Sequence, residues 1–410
     1  MAEHPPSPYV PRDELSLWML TTPAQPALVG GLSLALNGQA VALRYDPAWL
    51  RHGHALSEDL PLVDTLFVPP RKQEAAGAVD DARPDRWGER VIRKFERTPR
   101  LSLLEFLLFA GPDRHGALGV SQRPDAYDPW PATPVPVLGD LPAMQEVVRK
   151  VMANEPVPEL ERRLLRPGVS LGGARPKSLV AIDGEPWLVK FGEGEDEDTP
   201  LIEHAAMTLA AHCGIDVATT RALPVRGRHA VAVRRFDRVA GRRVHAISAH
   251  VALRAVGEDF GYPQLAQQLR RLCRADDIAR QQAQLFRRMV FNILIDNTDD
   301  HEKNHVLLRR DDGHWGLSPA FDIVPGLSGL GYQAMAVGRD GAVSSLDNAL
   351  SQATAFGLKA PAARAIVREI AATVDGWRDH FAACGVAGAD LDTAAQYLDN
   401  DRLGAQRRQA

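Results

Sequence analysis

The chain has 410 residues, 45% hydrophobic and 24% charged, with a formal net charge of −4. That length supports two or three domains with sizeable cores, and the charge balance shows no basic excess that would advertise nucleic-acid binding over the whole surface. Three scattered cysteines (Cys213, Cys273 and Cys384) form no CxxC pair, which excludes a disulfide framework and a zinc ribbon and fits a reducing, cytoplasmic setting. The N-terminal MAEHPPSPYVPRDE has no basic region followed by an apolar one, so no secretory signal is expected. No apolar run reaches the ~18 residues of a membrane span.

In chain order, GGLSLALNGQAVALRY (30–45) alternates apolar and polar residues around Asn37-Gly38, a hairpin signal because Asn-Gly suits a turn with positive φ. PDRWGERVIRKFER (84–97) reads as an amphipathic helix, and LSLLEFLLFAG (101–111) as a buried helix ending at Gly111. RPDAYDPWPATPVPVLGDLP (123–142) holds six prolines and is the best candidate for a boundary, the alternative being a proline-rich crossing within one domain. Residues 143–165 are expected to be helical. SLVAI, a turn at Asp183-Gly184, and PWLVKF then form a hairpin. The acidic EGEDED (193–198) reads as a solvated loop. A helix runs from Leu201 to Cys213 with Gly214 in the stop position, RHAVAVRRFDR (228–238) is a strand, and helices dominate from 262 onward. This order predicts an α+β, two-lobed fold with three parts: a β-rich part with helices over 1–135, a nucleotide-binding part over 136–260, and a helical lobe over 261–410.

Within that last part, LFRRMVFNILI carries Leu285, Phe286, Met289, Val290, Ile293 and Leu294 at helical spacing. The helix should end near Asp296-Asn297, presenting a polar loop, TDDHEKN (298–304). A hairpin, HVLLRR to HWGLSP, follows, and then AFDIVP with Asp322. Phosphoryl transfer of the protein-kinase type needs an aspartate to orient the attacking hydroxyl, an asparagine five residues later for a magnesium ion, and a second aspartate beyond a short hairpin. Asp299, Asn304 and Asp322 have those positions. An EF-hand lacks its glycine and its alternation here, and His301 has no second zinc ligand at the usual spacing.

Upstream, SLGGARPKSLV (170–180) places two glycines and Lys177 before a strand. Glycines let backbone N–H groups approach phosphate, although the spacing is not that of a Walker A loop. By alternation Lys190 shares a strand face with Leu188. It could face a nucleotide cleft, with Glu203 on the next helix orienting it, or it could be an exposed edge lysine.

Together these segments resemble the HipA family of serine/threonine-kinase toxins, through nearly the whole chain. The stretches that carry the likeness are the N-terminal part up to FAGPDRHGALGV, then SLGGARPKSLV, WLVKF, AVRRFDR, NTDDHEKN and LSPAFDIVP. The resemblance implies Asp299 as catalytic base and Asn304 and Asp322 as Mg2+ ligands. It places ATP against Gly172, Gly173, Ala174, Arg175, Pro176, Lys177 and Lys190. Arg234, Arg235 and Phe236 then lie at the adenine hinge, and His301, Glu302, Lys303, Asn304, Phe321 and Asp322 complete the nucleotide site. Ser170 corresponds to the serine that family members autophosphorylate.

The family further implies a translation-machinery substrate such as an aminoacyl-tRNA synthetase, glutamyl-tRNA synthetase in the best-known case. It also implies a HipB-like helix-turn-helix antitoxin through which DNA is bound indirectly. The sequence departs from the pattern at Pro176, which lacks an N–H, at Asp300, where glycine is frequent, and at Phe321, where tyrosine is frequent. A catalytically weak, kinase-like co-repressor and a small-molecule kinase are the competing readings.

Overall fold

The computed structural model describes residues 9–130, 134–169, 172–194 and 196–410. The chain divides into two compact units. The first comprises residues 1–136, 146–179 and 238–245; the second comprises 137–145, 180–237 and 246–410.

The first unit is built on a five-stranded antiparallel sheet. Its strands are β1 (Glu14–Met19), β2 (Ala27–Ala35), β3 (Ala40–Tyr45), β4 (Leu66–Phe67) and β5 (Leu118–Ser121), in the spatial order β4-β3-β2-β1-β5. The β2–β3 connection is the expected turn, with Asn37 and Gly38 both at positive φ (58° and 78°). Leu17, Leu32 and Leu43, from three neighbouring strands, are fully buried, each contributing roughly 1.5–3 kcal/mol of hydrophobic stabilisation. Helices α1 (Pro47–His52), α2 (Arg86–Phe95) and α3 (Leu103–Phe109) complete its front half. α3 starts at a capping box, in which Ser102 and Glu105 satisfy each other's end of the first turn. The helix expected over 143–165 is two helices, α4 (Leu141–Met152) and α5 (Glu159–Arg162). Asn154 turns the chain at φ 56°, and Pro156 and Pro158 prevent the helix from continuing.

β7 (Glu185–Phe191), β8 (Thr220–Val225) and β9 (Arg228–Arg234) of the second unit form a sheet with β6 (Lys177–Ile182), of which residues 180–182 belong to that unit, in the order β6-β7-β9-β8, and α6 (Thr199–His212) packs on it. The short strands β10 (Ala246–Ser248), β11 (Val306–Arg309) and β12 (Trp315–Leu317) form a second antiparallel sheet. The other regular elements are helices. α7 (Ala249–Arg254), α8 (Tyr262–Leu272) and α9 (Ile278–Leu294) are followed by α10 (Leu346–Ser351), α11 (Ala360–Val374), α12 (Trp377–Ala383), α13 (Gly388–Leu398) and α14 (Asp401–Gln409).

α9 is the central support, packed against both α8 and α11. Leu285, Phe286, Met289, Val290, Ile293 and Leu294, the residues at helical spacing, are all fully buried. The α+β expectation therefore holds. No helix among the described residues is long and apolar enough to cross a membrane.

Candidate active site

Lys190 lies on β7, an interior strand, and is buried, as are Trp187, Val189 and Phe191 on the strand's other face. A lysine in such surroundings requires partners. Its Nζ donates to Glu203 Oε1 on α6 at 2.6 Å and also to the carboxylate of Asp322. The edge-lysine alternative is thereby removed. Burial works against the charged amine, but Asp322 and Glu203 outweigh it and hold its pKa above the ordinary lysine value. Asp322 itself adopts φ 59°. A non-glycine residue in that region is held there by its surroundings, and such residues cluster at functional sites.

The polar loop begins where α9 ends. Asp296, fully buried, takes φ 53° and stops the helix. Its main-chain oxygen accepts from Gly326 N at 2.8 Å. Its Oδ2 accepts from Gly329 N at 3.1 Å, and its Oδ1 receives Arg402 of α14 at 3.1 Å. Thr298 O accepts from Ala334 N at 3.1 Å. The loop is thus braced by the segment that follows Asp322.

Asp299 is exposed, whereas Asn304 is buried and directs Nδ2 toward Asp299 O at 3.5 Å. Between them His301 caps a short turn over Glu302–Asn304, its Nδ1 accepting from Lys303 N at 3.3 Å. Glu302 bonds His250 Nδ1 at 2.8 Å. Burial raises the Glu302 carboxyl, but the His250 bond prevails and holds it below the usual range. Glu302 and Lys303 are half-buried.

Of the residues expected at the nucleotide site, Phe236 and Phe321 meet, with ring centroids 5.4 Å apart. Arg235 folds onto Asp237 in a buried bidentate pair at 2.8 and 2.6 Å. Arg234 is exposed, with Glu185 at 3.7 Å.

The glycine loop, by itself, is tightly tied. Lys177 Nζ donates to Gly172 O at 2.7 Å and pairs with Asp85 Oδ2 at 3.0 Å. Asp85 also caps α2. Gly173 has φ 99°, and a Cβ there would lie 2.7 Å from Lys177 Nζ, so the turn requires glycine. Ala174 is exposed, Arg175 half-buried and Pro176 buried. Ser170 lies outside the described residues.

Residues 169–377, about half of the chain, match the HipA-like C-terminal domain, and residues 24–121 match the HipA N-terminal domain. The chain belongs to the HipA family. Among similar proteins, "Putative kinase Y4mE" of Sinorhizobium fredii is 28% identical over 72% of this chain and 73% of its own length. "Putative kinase Y4dM" of the same organism is 29% identical over 34% of this chain, a match that spans only 37% of that protein. The fold is similar to that of HipA from Shewanella oneidensis MR-1, solved in complex with HipB and operator DNA. The TM-score is 0.66 and the identity 19%, covering 96% of this chain and 97% of that one.

The structure also assembles residues that sequence reasoning left aside. Asp85 and Arg402 carry no motif, and their partners are remote in sequence. Asp296 reads as a helix end, which it is, but its bracing role depends on contacts with residues 326–329 and 402. Asp300, unassigned from the sequence, is buried among three donors. The signal available for it was the histidine that directly follows Asn304.

Proposed function

We propose that this chain is a serine/threonine-protein kinase toxin of a toxin–antitoxin module. It would transfer the γ-phosphoryl of ATP to a serine of a translation-machinery protein, an aminoacyl-tRNA synthetase such as glutamyl-tRNA synthetase. The observation that carries this reading is Lys190, a buried strand lysine bonded at once to Glu203 on a helix and to Asp322 beyond the hairpin. That arrangement is the one phosphoryl transfer uses to organise phosphate and metal. The exposed Asp299 orients the accepting hydroxyl and takes its proton. Asn304 and Asp322 would hold magnesium through their side-chain oxygens, and hard oxygen donors suit that ion. When bound, magnesium neutralises charge on the phosphate oxygens. Phe236 and Phe321 supply an apolar pair suited to a base, and Lys190 supplies a fixed positive charge. Positioning and charge complementarity carry the rate, with no covalent enzyme intermediate.

The antitoxin partner is proposed to be a HipB-like helix-turn-helix protein through which operator DNA is bound. Ser170 is proposed as the autophosphorylation site. The test is induced expression of the wild type and of Asp299→Asn, with growth and the phosphoproteome followed together. Growth arrest and new phosphoserine, including on Ser170, are expected with the wild type alone. Equal phosphorylation by Asp299→Asn would remove the assignment. One observation favours the co-repressor reading: the glycine-loop lysine, Lys177, is engaged with Asp85. Nucleotide binding without any phosphate transfer would support that alternative.

A further inference from the structure

The loop TDDHEKNH contains two pairs with one spacing. Asp299 and Asn304, the proposed catalytic and metal-side residues, are five apart. Asp300 and His305, each one residue further on, are also five apart, and they touch: His305 Nε2 bonds Asp300 Oδ2 at 2.9 Å. The outer pair is the functional one, with Asp299 exposed, whereas Asp300 and His305 are 3% and 2% exposed. Two more donors converge on the same Asp300 oxygen. Asn292 Nδ2 of α9 lies at 2.7 Å, and the Tyr262 hydroxyl of α8 completes the set. His305 is itself pinned through its carbonyl, which accepts from Ala249 N at the start of α7 at 2.7 Å.

A carboxylate buried this fully is tolerated only with such partners, and removing it strands the donors. Neither direct catalysis nor nucleotide contact accounts for it. Asp300 points away from the exposed side of the loop, into the helices that support it. Burial raises its carboxyl, but His305 and Tyr262 outweigh that and keep it below the ordinary aspartate value, so it serves as a charged acceptor.

We propose that Asp300 is a positioning residue whose bond to His305 closes the catalytic loop and so sets the separation of Asp299 and Asn304. Tyr262 and Asn292 anchor that closure to α8 and α9. The inference rests on the kinase reading for its catalytic consequence, though the clamp itself does not depend on it. The Asp300 departure from the frequent glycine is then a constraint that replaces backbone freedom with a buried bond.

The experiment compares wild type, Asp299→Asn, Asp300→Ala, Asp300→Asn and Tyr262→Phe. Two readouts are used: steady-state phosphate transfer, and hydrogen exchange of the 298–305 peptide. Asp300→Ala is expected to lower kcat by about 100-fold with KM for ATP changed by no more than about threefold, since a displacement near 1 Å has that scale of effect. Asp300→Asn, which keeps an accepting oxygen, is expected to restore kcat to within about tenfold of wild type. Tyr262→Phe, the mildest change, covers the case in which Asp300→Ala does not fold, and is expected to give a smaller kcat loss in the same direction. Loop exchange should rise in Asp300→Ala and Tyr262→Phe and stay at the wild-type level in Asp299→Asn. Wild-type kcat and loop protection in Asp300→Ala or Tyr262→Phe would overturn the proposal, as would a loss confined to KM. If wild type transfers no phosphate yet loop exchange rises only in the Asp300 and Tyr262 variants, the kinase reading fails and the clamp stands.

Discussion

Replacing Lys190 by methionine separates the stabilising role of its buried ion pairs from its proposed role in phosphate transfer. The lysine side chain is 7% exposed and that of Glu203 1%, with 2.6 Å between their charged atoms. Removing the ammonium leaves Glu203 as an uncompensated buried carboxylate, a change that costs about 3–5 kcal/mol. Asp322 adds less, because its side chain is 26% exposed and water can take over part of the lysine's work. In the double variant Lys190→Met/Glu203→Leu neither buried charge remains, so most of the loss should return. A coupling of about 2–3 kcal/mol is expected between the two sites. The assay is urea unfolding followed by circular dichroism near neutral pH, with ATP-dependent phosphate transfer measured on the same preparations. Stability should recover in the double variant while transfer stays absent in both. Strictly additive stability losses would refute the buried-pair argument, and full transfer by either variant would refute the role of Lys190.

Three further outcomes are expected. Asp277 stands at the start of α9, where Arg280 chiefly, with Gln281 and Arg310 adding, holds its carboxyl at about 2. A depressed folded value stabilises above the unfolded aspartate value of about 3.9 and is lost as pH falls toward 2. The stability gap between wild type and Asp277→Asn should therefore be constant down to about pH 4 and shrink below it; a gap that widened with acid would contradict the pairing. Burial pushes Cys213 up to about 12 and Cys273 to about 11, so a thiol reagent at neutral pH should label Cys384 well before either, as read by peptide mass spectrometry. Equal labelling rates for the three would argue against the packing described. Arg402→Ala should loosen the brace on Asp296, lowering phosphate transfer by about tenfold or more while α14 stays folded by circular dichroism; unchanged transfer would remove that brace from the account.

Much of this was legible in the sequence where the determinants are local. The Asn37-Gly38 hairpin follows from turn chemistry, and α9 from apolar residues every three or four positions, all of them buried. The Asp299–Asn304 spacing lies within one loop, so it could be read without a fold. The helix break after Met152 was available in Pro156 and Pro158 but was masked by the helical pattern on either side. What could not be read is long-range convergence. Lys190 and Asp322 are 132 residues apart, and Asp296 and Arg402 are 106 apart. No periodicity or motif encodes which carboxylate a buried lysine will meet. Asp300 looked like one more loop charge, because its burial is decided by Tyr262 and Asn292, which lie on helices outside the motif.

Whether Asp299 carries phosphoryl transfer is read by incubating the purified protein with γ-phosphate-labelled ATP and magnesium and following label on protein over time. Label should accumulate on serine with the wild type and be absent with Asp299→Asn, while both proteins give the same circular dichroism spectrum. Label appearing on Asp299→Asn at the wild-type rate would contradict the account.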